Sequence, residues 1–364
     1  MNKFISLLAG ILIFSSVVPL KAQELIRNSS VTGVCYAGKK ISRMYIPPPK
    51  EFYRNGRSTG GGVITVNYTG FSAQAKAAVD YAVLVLEKLL PADTRFTIDA
   101  SWTKISTSGV LAQSSITGYA AGWGIDALNP VSLYPVALAE KIAGRSLNNS
   151  AQGEITLAVN SSINNWYFGT DGNTSNSQYD LVMVAMHEIC HGLGFFDSFS
   201  LTGNIGSYGI SSIPKIYDSL IENSTASKLT DTLKFLNPSS LLGSQLVGNQ
   251  LYFNGPLLQK YTSSFPLRYN NISRAKLYTP ATWDPGSSVS HLDESATLKS
   301  DGLMTPFISL GEAIHDPGKF TLSILGDIGW INTRIIHKPS GDTEAHRTNI
   351  SLSVDIKYIT QSQV

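Results

Sequence analysis

The sequence predicts an α/β chain, with α+β character in its later part: a twisted, mostly parallel sheet, a long helix backing it, and a second helix that carries polar chemistry on an apolar frame. Three observations predict it. Val63-Ile64-Thr65-Val66-Asn67-Tyr68 reads as a strand, Ala73 to Leu90 carries apolar residues at helical spacing until Pro91 stops it, and Arg95 to Trp102 alternates as a second strand. Strand, long helix, strand is the opening of a βαβ unit and hence of a parallel sheet. The third observation is an apolar helical run from Asp180 through Met186 that leads directly into His187-Glu188.

The remaining elements follow in chain order. Lys3, an apolar run from Phe4 to Leu20 and a small residue at Ala22 make residues 1–22 a secretory signal peptide, with a mature chain beginning near Gln23. Residues 23–62 are polar and irregular, punctuated by Pro47-Pro48-Pro49 and Gly60-Gly61-Gly62, and read as a lead-in or short pro-segment. The main domain is expected over 63–330. After the first βαβ elements it contains a short helix near Val136 to Ile142, a strand at Glu154 to Val159 and the polar helix from about Tyr179. Residues 198–303 form an inserted subdomain, in which Ile216 to Ile221 looks helical, and Gln245-Leu246-Val247 with Gln250 to Phe253 looks like a hairpin around Gly248-Asn249. Thr321 to Trp330 reads as a closing helix ending on a buried Trp. Residues 331–364 alternate, as in Ile350 to Val354, and read as a C-terminal β extension or the truncated start of a further domain.

Charge narrows the function classes. With 28 Lys and Arg against 26 Asp and Glu, and only 15% charged residues, the chain has no basic field for nucleic acid or acidic lipid. After the signal, no stretch is long and apolar enough to span a bilayer. The expected location is outside the cell, in the periplasm or at the cell surface, and the expected state is monomeric without stable membrane association.

The chemistry concentrates in His187-Glu188-Ile189-Cys190-His191-Gly192-Leu193-Gly194-Phe195-Phe196-Asp197, which reads HExxHxxGxxD. Residues four apart share a helix face, so His187 and His191 can offer imidazole nitrogens to one Zn²⁺ while Glu188 sits beside them as a base. A further ligand requires the chain to double back soon after His191. Gly194 can provide that turn, because glycine adopts a left-handed conformation without a Cβ clash, and Asp197 then offers a carboxylate oxygen. Water takes the fourth position.

HExxHxxGxxH followed by a distant Met-turn is the metzincin signature. This chain resembles it, with Asp197 replacing the third His as in the snapalysin type of secreted metzincins. Gly302-Leu303-Met304-Thr305-Pro306 is similar to the turn of matrixins. The resemblance implies a metzincin-like zincin fold: the mostly parallel sheet with an antiparallel edge strand along the cleft, the backing helix and the active-site helix. It implies Met304 as a hydrophobic floor under zinc, and a secreted zinc-dependent metalloendopeptidase acting on protein or peptide substrates held as an added strand. Pro306 stands where some metzincins have an oxyanion-stabilising Tyr, so that role is not carried over.

Other residues leave alternatives open. Cys35 and Cys190 could form a disulfide bracing the lead-in under the helix, remain two thiols, or leave Cys35 as a regulatory zinc ligand of the kind matrixins use, although the surrounding prodomain motif is absent. His291, in Ser290-His291-Leu292-Asp293, is a candidate for a substrate contact or a supporting role beside the ligands, or a structural histidine. His315, His337 and His346 have no mutual ligand spacing and read as surface or turn residues. Asp171-Gly172-Asn173 weakly resembles part of a Ca²⁺ loop. Two other arrangements compete: an inactive metzincin-like scaffold serving binding or adhesion, and a gluzincin taking a ligand such as Glu222 from a later helix.

Overall fold

The computed structural model describes residues 25–26, 31–53, 61–121, 128–148, 151–264 and 273–331. The signal peptide expected over 1–22 and the extension beyond Ile331, with His337 and His346, lie outside the described residues.

A six-stranded sheet forms the centre. Its strands are β1 (Val31–Ile46), β2 (Val63–Thr69), β3 (Arg95–Thr103), β4 (Val110–Ile116), β5 (Ile155–Asn160) and β6 (Phe307–Ile314), laid side by side in the order β6-β1-β4-β5-β3-β2. β4 runs antiparallel to both its neighbours, while the β6–β1, β5–β3 and β3–β2 pairs are parallel. The fold is therefore mixed α/β with a mostly parallel sheet. The antiparallel strand is present, but it is not an edge: β1 covers its far side. Residues 31–46, read as irregular lead-in, are thus an integral strand, because Val31–Tyr36 satisfies the main-chain groups that β4 would otherwise expose.

Six helices are described: α1 (Ala73–Leu89), α2 (Val136–Ala143), α3 (Leu181–Gly192), α4 (Ser240–Leu246), α5 (Pro256–Ser264) and α6 (Gly318–Ile328). Ser72 caps α1 through its hydroxyl, which accepts from the Ala75 amide. α3 is buried at every position and packs against α1, β1, β4 and β5, so its ligand face looks into the sheet rather than to solvent. Asp180 caps it, accepting from the Met183 amide at 2.8 Å while also receiving His315 Nε2 at 3.0 Å. His315 is accordingly a fully buried partner of that cap, not a surface residue. Trp330 is fully buried, and its indole N–H donates to the Leu193 carbonyl at the end of α3.

The insertion differs locally from its sequence reading. Asp218–Leu220 is a single 3₁₀ turn that gives way to a strand at Ile221–Asn223, and the first half of the expected hairpin is the end of α4. Leu251–Phe253 pairs instead with Ile221–Asn223 and Ala275–Lys276. In both places nonlocal pairing overrides a local pattern too short to specify its own partner.

Candidate metal centre

Three histidines meet where α3 faces the end of the insertion. Nε2 of His187 lies 3.2 Å from Nε2 of His291, His191 Nε2 lies 3.1 Å from His291 Nε2, and the His187–His191 pair is also 3.1 Å apart. Each ring is oriented from its other side. Nδ1 of His187 donates to the Leu303 carbonyl at 2.7 Å, that of His191 to the Phe195 carbonyl at 2.6 Å, and that of His291 to the Ser287 carbonyl at 2.9 Å. A carbonyl oxygen only accepts, so each proton sits on Nδ1 and each Nε2 presents a lone pair.

Burial reinforces this protonation state. All three rings are fully buried, which lowers the pKa of His187 to about 4 and of His291 to about 3, with mutual repulsion adding at His291; His191 is also held well below its ordinary value, chiefly by burial. Three neutral imidazoles therefore turn lone pairs toward one another, an arrangement that repels unless a cation lies between them. Zn–N bonds of about 2.0–2.1 Å at tetrahedral angles would separate the nitrogens by about 3.3 Å. The observed triangle fits that size, and His187, His191 and His291 could hold a metal ion.

Asp197 is not in this donor set. Gly194 does adopt positive φ, +113°, and the chain does double back, but the turn delivers the Phe195 carbonyl to His191 rather than the Asp197 carboxylate to the metal position. The Asp197 carboxylate accepts from Ser290 Oγ and the Phe199 amide, and Lys215 Nζ donates to its backbone carbonyl. Burial, then the neighbouring Asp218, push its pKa up to about 7. Asp197 thus positions Ser290, the residue before His291. His291, which sequence reading held as a subsidiary candidate, is the third member of the group that could hold a metal ion.

The segment delivering His291 is conformationally costly. Val289 is fully buried at φ +68°, a left-handed conformation that β-branched residues rarely adopt. Its amide donates to the Tyr278 carbonyl at 2.7 Å and its carbonyl accepts from Tyr217 Oη at 3.2 Å. These bonds from the insertion fix the turn that aims His291 back at α3.

Glu188 is fully buried beside the histidines, with the Ser114 hydroxyl and the Ser114 and Cys35 amides as the donors near its carboxylate. Burial raises its pKa to about 8, while Ser114 and the Cys35 backbone nearby pull it down slightly. Cys35, His187 and Glu188 bring potential ligand atoms within 4.8 Å of one another. Cys35 and Cys190 are both buried free thiols, so of the three alternatives left open the bridge is not formed. Burial, followed by the Glu188 charge, raises the Cys35 pKa.

Of the remaining candidates, Met304 lies in a turn that supports the histidines, while Glu222 and Asp171 do not join them. Met304 is fully buried at the end of a 3₁₀ segment, Lys299–Met304, whose Leu303 carbonyl orients His187. Its backbone carbonyl accepts from Leu292, tying the turn to the His291 segment. Glu222 is ion-paired to Arg274 at 2.7 Å and belongs to no metal-ligand group among the described residues. Asp171 caps its own turn, accepting from Tyr167 and Asn173, and belongs to no metal-ligand group among the described residues.

A family model described as SPBPB7E8-like matches residues 73–249. The similarity takes in α1 and all of α3 but stops before His291. No curated protein and no solved structure matches the chain.

Proposed function

We propose that this chain is a zinc-dependent metallopeptidase of the HExxH zincin type, with His187, His191 and His291 as ligands and Glu188 as general base. The observation that carries the reading is the convergence of three neutral Nε2 atoms next to a buried carboxylate. Bound zinc would act as a Lewis acid on a substrate carbonyl and bring the pKa of a water near 7. Glu188 would accept the proton of the attacking water and pass it to the leaving amine. The Nδ1 bonds to Leu303, Phe195 and Ser287 keep the three ligands oriented. The metzincin third-ligand pattern is not part of this proposal, since His291 arrives 100 residues after His191.

Proteins or peptides are the proposed substrates, and export through residues 1–22 is part of the same reading. No helix among the described residues is long and apolar enough to cross a membrane. One observation favours the second reading, a binding scaffold with a structural metal: His187, Glu188, His191 and His291 are all fully buried. Metal analysis and peptide cleavage by Glu188→Gln separate the two. The peptidase reading expects one zinc per chain in wild type and variant, and hydrolysis only in wild type; equal hydrolysis by both refutes it.

A further inference from the structure

The insertion presents leucine to solvent at one turn. Leu233 is 97% exposed and Leu236 is 70% exposed, three residues apart on the turn that Asp231 opens. The turn is braced: the Lys234 and Phe235 amides donate to the Asp231 carbonyl, the Asp231 carboxylate accepts the Leu233 amide at 3.1 Å, and Phe235 is buried. Asn237 fixes its end, accepting the Tyr208 amide at 3.0 Å and donating to the Tyr208 carbonyl at 2.9 Å. Main-chain bonds between Ser239 and Gly206 then join the start of α4 to the hairpin of Ser200–Thr202 and Ile205–Ser207. Those adjoining elements carry Leu241 and Ile205, 53% and 40% exposed. A single exposed leucine is ordinary, but four large apolar side chains on joined elements mark an interaction surface.

Shape and charge indicate what covers it. With almost its whole side chain in water, Leu233 is a convex tip and not the lining of a groove. Fluid acyl chains close around a protruding side chain, whereas a close-packed protein surface must supply a matching cavity. Two cations belong to the same turn. Lys234 lies between the leucines, and the Lys228 carbonyl accepts the Asp231 amide. Each ammonium donates to a neutral oxygen: Lys234 Nζ to Ser227 Oγ at 3.1 Å, and Lys228 Nζ to the Ser219 carbonyl at 2.6 Å. The nearby acids are engaged elsewhere, Asp231 by the Leu233 amide and Glu222 by Arg274. Leucine and lysine on one tip match the acyl chains and the anionic headgroups of a bilayer surface. The chain as a whole is close to neutral, so this attraction is local.

We propose that the Leu233–Leu236 turn, with Leu241 and Ile205 on the adjoining elements, docks on anionic phospholipid bilayers. The leucines enter the acyl boundary while Lys228 and Lys234 meet headgroup phosphates. The association is peripheral and reversible, since it inserts a few side chains and no helix. It does not use the three histidines, and so it stands or falls apart from the peptidase reading.

Co-sedimentation with vesicles of phosphatidylcholine and phosphatidylglycerol tests it, on the chain from Gln23 so that the apolar run of residues 4–20 does not itself enter the bilayer. Wild type should bind in low salt and bind less in high salt. Leu233→Ser/Leu236→Ser should bind about tenfold or more weakly, because withdrawing even one leucine from water is worth about that factor. Lys228→Gln/Lys234→Gln should lose the preference for phosphatidylglycerol over pure phosphatidylcholine. An environment-sensitive dye on Leu233→Cys reports insertion directly: Cys35 and Cys190 are buried, so the tip takes the label, and its emission should shift to shorter wavelength with vesicles. Leu233 makes almost no native contact, so this variant keeps the fold whatever the double variant does. Absence of wild-type sedimentation overturns the proposal, as does equal binding by the double leucine variant or unchanged emission from bound protein. A doubled mass without vesicles that Leu233→Ser/Leu236→Ser returns to monomer makes the surface a contact between copies and overturns the lipid assignment.

Discussion

At the residue scale, the site turns on which side of each imidazole is committed. Leu303, Phe195 and Ser287 supply carbonyls that take the Nδ1 protons, and this local choice is what leaves three Nε2 atoms facing inward. His291 and Asp197 lie close in space through Ser290 yet do different work. Losing an outer partner of a ligand costs about 10–100-fold in metal affinity, so losing the ligand should cost at least about 100-fold. His291→Ala should therefore bind zinc at least that much more weakly in a competition titration. Asp197→Asn should retain a full equivalent of zinc, with affinity reduced by no more than about 10-fold, because it acts through Ser290. Equal loss of zinc in both variants would restore Asp197 as a ligand.

The elements that hold those residues differ in how openly the sequence displays them. α3 has a visible start: Asp180 precedes the apolar run and accepts from the Met183 amide. Because that carboxylate also binds buried His315, Asp180→Ala removes a cap and leaves a buried imidazole without its partner. The expected loss is about 2–3 kcal/mol, with less for Asp180→Asn, which keeps a capping oxygen; urea unfolding of the two variants measures it. The half of the sheet read correctly, β2, β3 and β5, consists of β-branched and alternating residues around a long amphipathic helix. The half that went unread lies over the three-histidine cluster. β1 contains Gly33, Gly38 and the Lys39-Lys40 bulge, β4 carries Ser114 and Ser115, and β6 bends at Gly311, with φ +76°. Such strands are defined by their neighbours rather than by propensity. That His187 and His191 share a face of α3, with Glu188 beside them, was legible from spacing alone. His291 could be noticed only as a histidine close before the Met304 turn, since no local period links it to a helix 100 residues earlier.

For the whole molecule, the insertion that carries His291 docks on the closing helix, and Asp327 joins them. From α6 its carboxylate accepts the Leu257 amide at 2.7 Å and the Leu258 amide at 3.1 Å, at the first turn of α5. Asp327 is only 8% exposed, and burial raises its pKa to about 7 despite those two amides. An unfolded Asp titrates near 3.9, so between about pH 4 and pH 7 the folded chain holds more of this proton than the unfolded chain does. The group's linkage contribution is complete below the unfolded pKa and is lost as pH rises through about 7. Asp327→Asn removes the titration while keeping one acceptor oxygen. The stability difference, wild type minus variant, should thus shrink from pH 4.5 to pH 7.5 and level off above it. Urea unfolding of metal-free wild type and variant across that range measures the difference, and a difference that grows with pH would mean that the two amides outweigh burial and hold the carboxylate ionised at this junction.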